Sequence, residues 1–118
     1  MRDLAPDIVR QRLLIEGFYS IEVNQEKVAS YLLGVAAHLD LQTYGDPIIH
    51  APEGLGKAEN QGFDAFIPLI DSGISLYVWS VAQFFAVVLF TCKAFTTEEA
   101  LAYTQAYFGA LELEHQQF

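Results

Sequence analysis

A chain of 118 residues in which 53% of side chains are hydrophobic can bury a core and is too apolar to stay disordered, so one domain spanning 1–118 is expected. Six basic against fifteen acidic residues leave a net charge of -9, which sets the chain against nucleic-acid phosphates and anionic membrane surfaces and favours a cationic or zwitterionic small molecule. The single cysteine, Cys92, excludes an intrachain disulfide, and the opening Met1–Asp7 carries no apolar signal-type run, so a cytoplasmic protein is expected.

Residues 8–19 combine β-favouring side chains with Gly17 near the end and predict a first strand. Asn24 offers a side-chain oxygen as an N-cap, and Val28, Leu32, Val35 and Leu39 fall on one stripe, predicting a helix over 25–39. Residues 41–51 read as a second strand. The stretch 52–62 is dense in turn formers and polar groups and reads as a loop, with His50 and Glu53 at its border where a ligand or solvent could meet them. Phe63, Ala65, Ile67 and Leu69 alternate with Asp64, Phe66, Pro68 and Ile70, a third strand that Pro68 pushes toward an edge or a bulge.

Ile74, Leu76 and Val78 then share one face of a fourth strand and Ser75, Tyr77 and Trp79 the other. Phe84–Thr91 is a short, continuously apolar run of the kind covered on both faces. Thr96 with Glu99 forms a capping-box pattern that opens a helix to about Phe108, with Gly109 as its C′ residue. The tail from Ala110 adds a short strand or frays.

The uncharged run Ser72–Cys92 has the length of a membrane span, but Ser75, Ser80, Gln83 and its β-branched and aromatic content fit a hairpin of two buried strands better. Helices interleaved with strands in this order predict an α+β fold, two helices on one face of a mainly antiparallel sheet. The other face also needs cover, and a homodimer packed sheet on sheet supplies it.

Generic motifs are missing. Gly54-Leu55-Gly56-Lys57 has neither the spacing nor the hydroxyl of a phosphate-binding loop, and His38, His50 and His115 share no ligand spacing with Cys92, so no metal site is expected. The segment Asp71-Ser72-Gly73-Ile74-Ser75-Leu76-Tyr77-Val78-Trp79, followed by Phe90-Thr91-Cys92, resembles the processing and catalytic region of bacterial-type S-adenosylmethionine decarboxylases. Gln11–Tyr19 is similar to that family's opening strand. The resemblance implies a pyruvoyl-dependent enzyme of polyamine (spermidine) synthesis. Its cofactor would come from Ser72 by self-cleavage of the Asp71–Ser72 bond, with Cys92 as the general acid and Ser75 and Trp79 beside the substrate.

A thiol, with a reference pKa near ~8.5, is mostly protonated at neutral pH and suits that acid role. Tyr77 stands where the family has the histidine that takes a proton during self-cleavage. A phenol, near ~10, is a poor base at pH 7 beside an imidazole near ~6.5. Gly73 replaces the family's histidine after the serine, and Ser80-Val81 replace a Pro-Glu pair. The alternative is a homologue that never splits and serves as a small-molecule-binding, regulatory or partner subunit. Without the resemblance, Asp71-Ser72-Gly73 is a tight turn, Cys92 a small buried hydrophobe, and Tyr77 and Trp79 core or interface aromatics.

Overall fold

Alternation of apolar side chains is what organises the sheet. In the computed structural model, which describes residues 1–52 and 54–118, strand β1 (Gln11–Phe18) buries Leu13 and Ile15 while its intervening residues turn the other way. Strands β3 (Gly62–Leu69), β4 (Ser72–Trp79) and β5 (Phe84–Thr91) repeat the pattern, burying Ala65, Ile67 and Leu69, then Ile74, Leu76 and Val78, then Phe85, Val87 and Leu89. With the short β2 (Ile48–His50) and the C-terminal β6 (Glu112–Gln117), the strands form one antiparallel sheet in the order β2-β3-β4-β5-β1-β6. The run once comparable to a membrane span is therefore the β4–β5 hairpin. No helix among the described residues is long and apolar enough to cross a membrane.

Both helices cover the same face. Helix α1 (Gln25–His38) starts where Asn24 Oδ1 accepts the Lys27 amide at 2.9 Å, and it lays Val28, Tyr31, Leu32, Val35 and Ala36 into the core. It packs over β2, β3 and β4, whereas α2 (Thr97–Phe108) packs on β1 and on α1. Helix α2 ends at Gly109, whose φ of +56° is the left-handed geometry a glycine tolerates, and the Ala110 amide returns to the Gln105 carbonyl at 3.0 Å. Between the helices the Tyr31 and Thr104 hydroxyls share a hydrogen bond of 2.7 Å in a fully buried setting. Burial pushes the Tyr31 phenol well above its ordinary range.

Four expectations shift. The first strand begins at Gln11 rather than residue 8, because Ile8 and Val9 are exposed beside a turn. The second strand shrinks from 41–51 to Ile48–His50: Asp40 takes a φ of +57° and the chain runs as a loop touching the sheet at one bridge, Thr43 to Leu69. Thr96 is the N-cap of α2, but its hydroxyl makes no capping hydrogen bond, so the capping box does not form. Pro68 sits in an interior strand, past the end of β2, where the loop passes and the Tyr44 amide donates to its carbonyl at 3.0 Å.

Candidate active site

Ser72 opens β4 directly across from Thr91, the last residue of β5, so the turn before one strand and the end of its neighbour meet. The Cys92 amide donates to the Asp71 carbonyl oxygen at 3.0 Å, and the Cys92 thiol lies 3.6 Å from Asp71 Oδ1 as a donor. The hydroxyl, acid and thiol expected at the site are thus gathered at one end of the sheet. Ser72 has a φ of +112°, a region non-glycine residues avoid at a cost of about 1–3 kcal/mol. The strain falls on the residue whose bond to Asp71 is the expected scissile one.

The remaining candidates lie elsewhere. Ser75, Tyr77 and Trp79 alternate onto the face away from the helices, as the sequence predicts. Tyr77 stands five residues beyond Ser72 on the same strand, about 17 Å at an ordinary strand rise, farther than a tyrosine side chain reaches. Within one chain the Tyr77 hydroxyl therefore does not reach Ser72. Trp79 packs its ring against Phe84 at 5.4 Å between centroids. Glu53 lies outside the described residues.

Three features of the open face escape the sequence reading. The Phe66 ring covers Gly73 so closely that a Cβ there would come within 2.4 Å of it; the space a larger side chain would need is already filled. His50, Asp64 and Tyr77 are consecutive partners across β2, β3 and β4, and with Ile48, Phe66 and Ser75 they line an open cavity of about 260 Å³. Arg12, opposite Phe90, marks the Ser72 end of the face, while Glu16, Glu112 and Glu114 crowd toward the other end. The alternation of Asp64 and Phe66 in β3 was the available signal for the second feature. Strand pairing, which sequence does not give, was needed to join it to His50.

A six-stranded antiparallel sheet with two helices on one face, and a serine and a cysteine at its Ser72 end, defines an α+β sandwich layer of the adenosylmethionine-decarboxylase type. The family model for S-adenosylmethionine decarboxylase matches residues 18–118, and the chain belongs to that family. The crystal structure of the adenosylmethionine decarboxylase from Aquifex aeolicus VF5 is similar over 94% of this chain and 89% of that one, with a TM-score of 0.73 at 15% sequence identity. No curated protein matches the chain.

Proposed function

We propose that this protein is a self-processing decarboxylase of S-adenosylmethionine that serves polyamine synthesis. The observation that carries the reading is the Cys92 amide on the Asp71 carbonyl, next to a strained Ser72. Attack of the Ser72 hydroxyl on that carbonyl carbon would place negative charge on the oxygen that the amide already holds, the arrangement that lowers an acyl-transfer barrier. Breaking the Asp71–Ser72 bond would also release the backbone strain.

The residues present fit a pyruvoyl group made at position 72, since the hydroxyl, the polarised carbonyl and a proton donor are all adjacent. When formed, that group supplies a ketone that engages the substrate amine and takes up the electrons left by the departing carboxylate. Cys92, a thiol beside Asp71 and at the end of the strand paired with Ser72, would return a proton to the substrate carbon. Asp71 Oδ1, accepting from the thiol, orients it.

A second copy of the chain completes the reading. The face opposite the helices exposes Phe18 at 45%, Phe66 at 39%, Tyr77 at 37% and Phe90 at 41%, too much clustered aromatic surface for water alone. A two-fold axis that reverses strand direction sets the Arg12 end of one copy against the acidic end of the other. It also carries the partner's Tyr77 row toward Ser72, the meeting that a single chain cannot make. The ligand is accordingly a small molecule bound between sheets in a cytoplasmic homodimer.

The test is denaturing mass spectrometry of the purified chain. The expected result is two pieces separated between Asp71 and Ser72, the second beginning with a pyruvoyl group, and Ser72→Ala abolishes the split. An intact wild-type chain overturns the reading in favour of a non-processing, ligand-binding homologue. Tyr77 in place of a histidine and Phe66 over Gly73 support that second reading.

A further inference from the structure

Self-processing of the kind described needs a group that removes a proton from the α-carbon of Ser72, and Tyr77 supplies a phenol where an imidazole does this work best. The sheet register offers a replacement. His50 on β2 faces Asp64 on β3, Asp64 faces Tyr77 on β4, and all three open into one cavity. Cross-strand partners stand about 4.5–5.5 Å apart, so the imidazole, the carboxylate and the phenol are neighbours along a single row.

The other two histidines are placed differently. His38 on α1 lies against the Tyr103 ring at 5.0 Å, on the helix side of the sheet. His115 pairs with Ile15, in the row that faces the helices. His50 alone of the three belongs to the open face, where it lines the same cavity as Asp64 and Tyr77.

We propose that His50, paired across the strands with Asp64, is the catalytic base of self-processing, acting on Ser72 of the opposing copy across the open face. The inference rests on the decarboxylase reading. After the Ser72 hydroxyl has displaced the amide nitrogen, an ester joins Asp71 to Ser72 and the Ser72 amine is free. The His50 imidazole takes the α-hydrogen, the Cβ–Oγ bond breaks, and its electron pair leaves on the Asp71 carboxylate. The dehydroalanine left at position 72 tautomerises to an imine, water hydrolyses it to the ketone with release of ammonia, and the imidazolium gives its proton back to solvent. Tyr77 lines the same cavity and is not the base.

The experiment follows the split of freshly synthesised full-length chain by denaturing mass spectrometry. His50→Ala is expected to slow the split by on the order of 10²-fold, the contribution of a well-placed general base, and added imidazole to restore part of the loss. Asp64→Asn slows it less, and Tyr77→His placed in the His50→Ala chain restores it. A merely structural His50 would not respond to imidazole, and circular dichroism checks that each variant folds. Should His50→Ala split at the wild-type rate, or imidazole fail to rescue it, the inference is overturned while the decarboxylase reading stands. A wild-type chain that never splits overturns both.

Discussion

Cys92 is asked to do two things with different atoms, and substitution can separate them. Its backbone amide holds the Asp71 carbonyl, whereas its thiol is the proton donor to substrate that the proposed reaction calls for. Cys92→Ala keeps the amide, so the chain is expected to split at a near-normal rate while release of carbon dioxide from S-adenosylmethionine falls by roughly 10²-fold or more. Mass spectrometry and a carbon dioxide assay on one preparation check both halves. At position 73 the Phe66 ring fills the space a side chain needs, so Gly73→His alone should destabilise the fold by about 1–3 kcal/mol. Adding Phe66→Ala should recover much of that, a coupling read from urea unfolding of the two single variants and the double. Ser72, Asp71 and Cys92 were singled out by the resemblance of their two segments to the decarboxylase family, and the β4–β5 pairing brings them to one end of the sheet. Phe66 over Gly73 and the His50 row were not legible in the letters, since each depends on which strands lie side by side.

At the scale of single elements, two helix caps that look alike in the sequence differ in the fold. Asn24 bonds the Lys27 amide and Thr96 bonds nothing from its hydroxyl. Asn24→Ala should therefore cost about 1 kcal/mol and Thr96→Ala only a few tenths, measured as shifts in thermal midpoint. The Tyr31–Thr104 contact between the helices gives a pH dependence whose sign follows from its burial. The phenol has a pKa of 10.0 when unfolded and a higher one when folded, so above pH 10 the unfolded chain loses this proton first and the native chain keeps it. Stability present below pH 10 is thus lost as the solution becomes more alkaline, and Tyr31→Phe with Thr104→Val should flatten that decline in alkaline denaturation curves. Periodicity found the strands and both helices, because a period of two or 3.6 follows directly from burial on one side. It overextended the second strand, since residues 41–47 follow the turn at Asp40 as a loop that meets β3 at a single bridge, Thr43 to Leu69, instead of pairing along it.

For the whole molecule, the two-sided sheet is the governing fact: one face is closed by helices and the other is rich in aromatics. If the second copy covers that face, Phe66→Asp with Phe90→Asp should shift sedimentation to the monomer and stop the split. Mixing Ser72→Ala with His50→Ala chains should restart processing, in the His50→Ala partner only. The fold class was legible because alternating strands and two amphipathic helices admit few arrangements, but the strand order was not, as long-range pairing leaves little trace in local pattern.

That order decides what a broken chain would do. Residues 1–71 carry β1, α1, β2 and β3 and residues 72–118 carry β4, β5, α2 and β6, yet β1 is flanked on both sides by strands of the later segment. Opening the backbone before Ser72 would therefore leave the halves woven together, with three full seams of main-chain bonds, β3 to β4, β5 to β1 and β1 to β6, still fastening them. The new amino terminus would be free chemically and pinned mechanically, so a reactive group could be exposed there without loosening the frame that aims it.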